Sequence, residues 1–558
     1  MVRTALALTL LLLLVPMGAA ARPAASTTLR SFDWPGYDRD GSDMRYAPTS
    51  AITPATAGHL RLAWTFHTGI VSPKTSFEAT PVVAGGRLFI AAPNDTVFAL
   101  DPRSGRLLWR FAPTLAADTR PSLLTRGVAY GDGQVFLATL DDRLIALDAA
   151  TGRQRWQFIL QNPALGYFES MAPLFDRGRV IVGTSGSDSD IRGFVAAFDA
   201  RSGRELWLFD TIPSPAEPGG NTWPNNGAYH FGGAAAWMTP AVDPKLNLIY
   251  VTVGNPSPVF NGARRAGENL YANSIVALQA TTGQVVWYWQ EVHHDLWDLD
   301  AASPAVLFTM HQGKNQIPAV MEVGKTGFVY VLDRRTGRPL VATPERPVPG
   351  GVAWQHSWPT QPEPQNQPVA PLCPAPGLYS RQGCIFTPTS DTPTLIAPGG
   401  IGGSAWSPVS YSPRTGLAYI AANTYPMIRQ TTPTSCCYQK PPVRVSTVQF
   451  SGALLGYDVA RGRIAWRVSL PPPALAFGGS SVTSGNVIIH GESAGYVDAR
   501  DATNGKLLWR YRTGAGADAA PAIYSVGATT YVAIAAGGNE VIGSPRGDTL
   551  FVFALRYG

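Results

Sequence analysis

One short unit returns along this chain and restricts its fold more than any other feature. Ala99-Leu100-Asp101-Pro102-Arg103-Ser104-Gly105 leads to Trp109, and Ala146-Leu147-Asp148-Ala149-Ala150-Thr151-Gly152 leads to Trp156. Copies follow at Ala197-Phe198-Asp199 through Gly203 to Trp207, at Ala277-Leu278-Gln279 through Gly283 to Trp287, and at Val331-Leu332-Asp333 through Gly337 to Leu340. Two more run from Gly456-Tyr457-Asp458 through Gly462 to Trp466 and from Asp501 through Gly505 to Trp509. Each reads as a strand, a tight turn and a second strand: Asp bonds the turn's own amides, Gly supplies the positive φ, and Trp packs where neighbouring units meet. Spacings of roughly 45–50 residues suit the four-stranded blades of a propeller, and the longer intervals before Trp287 and Trp466 read as blades with loop insertions.

An eighth strand end, Leu60-Arg61-Leu62-Ala63-Trp64, has no strands before it. The C-terminal strands Thr530–Ile534 and Thr549–Phe553 lack a terminal Trp. Pairing the N-terminal strand with them completes the last blade and leaves no open edge. The prediction is an all-β, eight-bladed propeller over residues 22–558, its Trp residues docking the blades. The interval 344–398, rich in Pro and Gln, is expected to be a surface insertion that covers one end of the channel or is simply solvated.

Residues 1–21 carry Arg3, a Leu-rich run and the small residues Gly18-Ala19-Ala20-Ala21, the anatomy of a secretory signal peptide, so a periplasmic or secreted location is expected. No later run is apolar enough for an integral membrane domain. The net charge of +6 is small and scattered, which argues against nucleic acid as a partner. Four cysteines in an exported chain point to disulfides. Cys373 and Cys384 suit a short ring, while the adjacent Cys436-Cys437 leave three arrangements open: a vicinal bond, bridges to the other two, or free thiols.

A propeller gathers its chemistry from several blades at one mouth. His293-His294-Asp295-Leu296-Trp297-Asp298-Leu299-Asp300 is dense in ionisable groups and follows a blade-ending strand. If this segment is extended, Asp298 and Asp300 share a face. Two adjacent carboxylates repel unless a raised pKa or a cation relieves them, and a hard metal ion takes carboxylate and amide oxygens. The plainer alternative is a pair of solvated or turn-capping loop carboxylates.

At these residues the chain resembles the pyrroloquinoline quinone (PQQ)-dependent alcohol and sugar dehydrogenases. The likeness rests on Asp33-Trp34-Pro35-Gly36-Tyr37 with Arg45-Tyr46-Ala47-Pro48, on Arg126-Gly127-Val128-Ala129-Tyr130, on Gly254-Asn255-Pro256-Ser257-Pro258, on Asp295-Leu296-Trp297-Asp298 and on Gly547-Asp548-Thr549-Leu550. It implies Asp298 as catalytic base, with Lys325 acting on the quinone carbonyls. It implies Asp188, Asn255 and Asp298 as metal ligands, with Asp300 resembling the extra carboxylate of lanthanide-using members. Cofactor contacts are implied for Glu78, Arg126, Ser170, Ser185, Gly186, Ser187, Trp237, Trp406, Phe477 and Gly478. The metal stays open among Ca²⁺, a lanthanide and Mg²⁺.

The chain departs from the family pattern at Asp188, where a Glu is usual, and at Ala405, where an Asn is common. The adjacent cysteines of the alcohol-oxidising branch are replaced by Arg120-Pro121. No Cys-x-x-Cys-His occurs, so electrons are expected to leave to an external cytochrome c or quinone after oxidation of a small alcohol or sugar. A non-catalytic propeller scaffold that has lost the cofactor is the rival reading.

Overall fold

The structure is a computed structural model that describes residues 31–116, 123–434, 450–471 and 474–555; residues 1–21, expected to be a signal peptide, and Cys436-Cys437 fall outside them. Each repeat is an antiparallel sheet. In one, Ala129–Gly131 is innermost, Gln134–Ala138 and Arg143–Asp148 follow, and Gln154–Ile159 is outermost. The same order recurs from Val82–Ala84 to Leu107–Phe111, from Leu174–Asp176 to Glu205–Asp210 and from Ala241–Asp243 to Val285–Gln290. It recurs again from Ser410–Ser412 to Arg463–Ser469 and from Ser480–Thr483 to Leu507–Arg512. Middle strands such as Gln134–Ala138 are buried along their length because sheets cover both faces, whereas outer strands such as Arg463–Ser469 alternate between exposed and half-buried residues. The closure is as expected: Leu60–His67 pairs antiparallel with Thr549–Leu555, which pairs with Thr529–Ala536.

The docking between sheets is a repeated lock. The Trp109 indole N–H donates to the Ala149 carbonyl at 3.1 Å, Trp156 to Ala200 at 3.1 Å, Trp207 to Ala280 at 3.2 Å, Trp287 to Arg334 at 3.1 Å and Trp466 to Ala502 at 3.2 Å. Each ring lies flat on the next turn's glycine, so Gly152, at φ +73°, would set a Cβ 2.6 Å from the Trp109 ring. Asp148 organises that turn, its Oδ1 accepting from the Ala150 and Thr151 amides and the Thr151 hydroxyl. Where Leu340 replaces Trp, the sheet Val306–Gln312, Asn315–Glu322, Tyr330–Asp333 ends in a single bridge from Leu332 to Pro339, and Gly462 meets Asn366 of the insertion instead.

The N-terminal signature does something the repeat does not announce. Residues 32–46 lace the innermost strands in order: Phe32 bonds Ser525, Trp34 bonds Val83, Pro35 accepts from Tyr130, Gly41 from Val242, Ser42 from Leu307 and Met44 from Tyr411. Tyr46 and Ala47 then pair in parallel with Val482 and Thr483. Inner-strand edges that would face the axis unpaired are thereby satisfied. Arg45, fully buried, donates to the carbonyls of Tyr37, Ser480 and Pro521 between the rings of Trp34 and Tyr37.

The insertion at 344–398 holds short pairings, Glu345–Pro347 with Thr360–Pro362 and Thr394–Ile396 with Met427–Arg429, and the Cys373–Cys384 disulfide. It lies against the acidic loop rather than only in solvent. The Trp297 indole donates to the Thr387 carbonyl at 2.7 Å, and its ring meets Phe386 edge-on at 5.4 Å.

Gly133 shares the +73° φ of Gly152 but has nothing within 4 Å of a built Cβ. Gly133→Ala should therefore cost only the left-handed backbone penalty of about 1–2 kcal/mol. Gly152→Ala should cost about 1–3 kcal/mol more, from overpacking against Trp109. Denaturation of both variants checks this; equal losses would deny the lock its role.

Candidate functional site

Loops that lead into the innermost strands carry Arg126, Ser170, Trp237, Asp298 and Asp300, and loops that leave the second strands carry Ser185–Asp188, Asn255 and Lys325. Antiparallel order brings both sets to one end of the sheets. They line a single cavity of about 430 Å³. Leu124, Leu140, Pro163, Tyr167, Phe168 and Val541 complete its wall, an apolar contribution that the sequence pattern does not flag.

The acidic segment is not the strand that shared-face spacing requires. Residues 291–300 form no strand, only a turn at His293-His294 among bends and irregular backbone, and Asp298 sits at φ +68°, in the left-handed region that costs a non-glycine residue about 1–3 kcal/mol. Asp295 holds this shape: its carboxylate accepts from the amides of Trp297 and Leu299 and from Asn273 at 2.8, 2.9 and 3.1 Å. The two carboxylates nevertheless converge. The Lys325 ammonium lies 2.8 Å from Asp298 Oδ1 and 2.8 Å from Asp300 Oδ1, and the Trp237 indole donates to Asp300 Oδ2 at 3.1 Å. Further out, the buried Asn255 amide donates to Oδ1 of the exposed Asp188 at 3.1 Å.

Charge is crowded here. Burial drives the Asp298 pKa well above its usual value; Lys325 opposes the rise, and Asp300 and Asp188 reinforce it. Asp300 is buried too, but Lys325, a hydrogen bond from Asp298 and the Trp237 indole outweigh that and hold it low. Among the described residues no three His, Cys, Asp or Glu side chains are gathered into a ready metal nest. What the cavity holds is hard oxygen donors, three carboxylates and an amide, whose mutual repulsion a cation would relieve.

The opposite wall is basic and aromatic. Arg126 donates to Ser170 Oγ at 2.9 Å, Ser170 and Ser185 share a 2.7 Å hydroxyl contact, and the guanidinium stands 5.0 Å from the centre of the Trp237 ring. The Ser187 hydroxyl accepts from the Ala235 amide at 2.9 Å. Glu78 lies behind the wall, not on it: it pairs with Arg126 at 3.1 Å and accepts from Asn539, and burial pushes its pKa up to about 7 against the pull of Arg126. Trp406, Phe477 and Gly478 are likewise outside the cavity lining. Trp406 stacks on fully buried Phe477 at 4.5 Å and, like Trp237, packs against the cluster of Tyr37, Ala172 and Met238, while a Cβ on Gly478 would strike the Gly491 carbonyl. Ala405 is buried in that same cluster.

Sequence spacing missed Asn273, which donates to both Asp295 and the Leu299 carbonyl, and Arg429, whose charge reaches Asp298 and Asp188. Asn273 stands just ahead of a repeat strand, as Asp95 and Asp142 do, all three at positive φ; that shared position is the signal that would have found it.

A planar, anionic redox group held with a cation suits a cavity that sets hard oxygens and Lys325 opposite an arginine–indole wall, and the buried Arg126 Nε on that wall has no partner among the described residues. Such a propeller belongs to the class of cofactor-dependent oxidoreductases. The comparisons agree. Residues 34–450 match the glucose/ethanol/alcohol dehydrogenase β-propeller domain model of the PQQ family, and residues 443–555 match that of the outer membrane protein assembly factor BamB. The quinohemoprotein alcohol dehydrogenase ADH IIB of Pseudomonas putida is 31% identical, covering 97% of this chain and 79% of its own. Quinoprotein glucose dehydrogenase A of Acinetobacter calcoaceticus is 29% identical over 94% of this chain and 79% of its own. The crystal structure of quinohemoprotein alcohol dehydrogenase from Comamonas testosteroni superposes with a TM-score of 0.80 at 29% identity, covering 95% of this chain and 81% of that one. The chain belongs to the PQQ-dependent alcohol and glucose dehydrogenase family.

The loop geometry separates two adjacent aspartates by what they do. Asp295→Ala strands two amides and the Asn273 side chain without an acceptor, and should cost on the order of 3 kcal/mol or more. Asp298 behaves oppositely. Its raised pKa means that the folded state holds the proton more tightly than the unfolded one, so its ionisation weakens the fold as pH rises through that value. Asp298→Asn should therefore leave the thermal midpoint at neutral pH unchanged or higher, and a large drop in this variant would contradict the electrostatic reading.

Proposed function

We propose that this eight-bladed propeller is an exported dehydrogenase that oxidises a primary or secondary alcohol or a sugar hydroxyl with metal-bound PQQ and passes electrons to an external cytochrome c or quinone. The observation that carries the reading is the convergence of Asp298, Asp300 and Lys325 in one cavity with Asp188, Asn255, Arg126 and Trp237. Family membership places it above the scaffold reading.

Asp188, Asn255, Asp298 and Asp300 would hold the cation; the metal is Ca²⁺, a lanthanide or Mg²⁺. Arg126, Ser170, Ser185, Gly186, Ser187 and Trp237 would hold the cofactor, with Glu78 fixing Arg126 from behind and Trp406, Phe477 and Gly478 packing beneath. When bound, the quinone supplies the two-electron acceptor for a hydride from the carbinol carbon. Asp298 takes the hydroxyl proton, a role that its place in the cavity wall beside the Lys325 ammonium suits. Lys325 steadies the two aspartates and brings positive charge to the reacting end of the cavity. Leu124, Leu140, Phe168 and Val541 present an apolar wall that limits water. Among the described residues no helix is long and apolar enough to cross a membrane.

The test is reconstitution. The purified chain mixed with PQQ and each candidate metal should gain dye-linked oxidation of an alcohol or sugar, and Asp298→Asn should lower kcat by about 10²–10⁴-fold with the fold intact. Turnover retained in that variant removes Asp298 as the base; no gain with any metal overturns the proposal.

A further inference from the structure

Arg429 is the one buried arginine that this structure leaves without a hydrogen bond to its side chain among the described residues. Arg45 and Arg265 spread their guanidinium groups over backbone carbonyls, Arg126 pairs with Glu78 and Arg500 with Asp498. Arg429 is only 8% exposed and its NH2 nitrogen has no partner. Its guanidinium packs instead over the Phe260 ring, 3.9 Å from the centroid. Solvation lost by a buried guanidinium is normally returned by acceptors, and an aromatic face returns only part of it.

Position makes the missing acceptor informative. Arg429 ends the strand Met427–Arg429, which pairs with Thr394–Ile396 of the insertion, so two segments outside the blade repeats combine to deliver it. It arrives beside the reacting carboxylate: a Cβ built on Gly400 would collide with both the Arg429 NH2 and Asp298 Oδ2. Lys325 holds the other oxygen, Oδ1. Arg429 stands outside the lining of the cavity, so it meets only a substrate that approaches Asp298 from the Oδ2 side, past Gly400, whose missing side chain leaves that approach open. A neutral alcohol leaves the guanidinium donors unmatched there, whereas a carboxylate matches a planar guanidinium fork with two parallel bonds.

We infer that Arg429 anchors the substrate and that the substrate is a hydroxyl compound bearing a carboxylate, a hydroxy acid or sugar acid, oxidised at the hydroxyl. This rests on the dehydrogenase reading and narrows its substrate class. With PQQ bound as the two-electron acceptor, the carbinol carbon would give up its hydride to it and the hydroxyl its proton to Asp298; a C=O would form and the carboxylate would be unchanged. Phe260 orients the guanidinium, and the insertion's strand fixes the backbone that carries it.

Two measurements separate the anchor from the chemistry. With the full chain loaded with PQQ and Ca²⁺, kcat/KM is compared for glycerate against glycerol and for gluconate against glucose. The acid is expected to exceed its neutral counterpart at least tenfold. Arg429→Gln should cut the acid-to-neutral ratio by about 100-fold, mainly through KM, and Arg429→Lys should keep part of it because charge survives while the fork does not. Calorimetric titration of the full chain, without cofactor, with succinate should give binding that weakens with salt and is lost in Arg429→Gln. An acid-to-neutral ratio unmoved by either substitution overturns the anchor even where neutral alcohols are oxidised. A holoprotein that oxidises nothing sinks the dehydrogenase reading, and the succinate titration then still decides for or against Arg429.

Discussion

Everything in this molecule depends on one contact repeated around the ring: an outer-strand tryptophan laid on the turn glycine of the next sheet, its indole N–H bonded to a carbonyl there. A β-sheet buried on both faces has no orientation of its own, and a ring of them could slide. The indole removes that freedom, because one edge must reach a carbonyl and one face must meet a residue without a side chain. At Leu340 the lock is absent, and the insertion supplies Asn366 against the following glycine instead; Trp64 lies on Gly105 with no partner for its indole N–H among the described residues, and Trp509 packs on Phe553 and Tyr511 rather than on a glycine. The lacing of the inner strands by residues 32–46 acts in the same sense from the axis, fixing the inner edges whose upper loops carry the site.

A rigid ring allows the cavity to hold groups that a softer scaffold would expel. Asp298 is buried, at positive φ, among like charges, each of which costs free energy. Asp295 and Asn273 fasten the loop by its backbone, Lys325 bridges its carboxylates, and Trp297 ties it to the insertion. The reactive group is thus held by neighbours of which, Lys325 apart, none has a chemical role of its own. That division of labour explains why the segment carries so many ionisable residues.

The propeller was legible because its signal is periodic: the Asp–Gly–Trp spacing needs no knowledge of contacts, and the orphan strand at Trp64 demanded the closure that is found. The cavity residues were legible by resemblance, since Arg126, Asn255 and Asp298 stand in recognisable motifs but share no period. Geometry at the acidic loop was not. An extended segment would have set Asp298 and Asp300 on one face; irregular backbone with Asp298 at positive φ brings them together by another route. Arg429 was silent for a related reason: it lies far from Asp298 in the chain, on a strand outside the repeat, and only folding makes them neighbours. The insertion's hold on Trp297 was open to two readings because composition says where a loop is, not what it touches.

The central claim is that side chains from separate blades hold one quinone and one cation in the same cavity. A visible absorption spectrum of the purified holoprotein, taken with elemental analysis of the same sample, tests this most directly. The account predicts a quinone chromophore and a bound metal in one-to-one ratio with each other and with the chain, both lost together when Asp188 and Asn255 are replaced by Ala. A chain that carries quinone with no metal, or metal with no quinone, would contradict it.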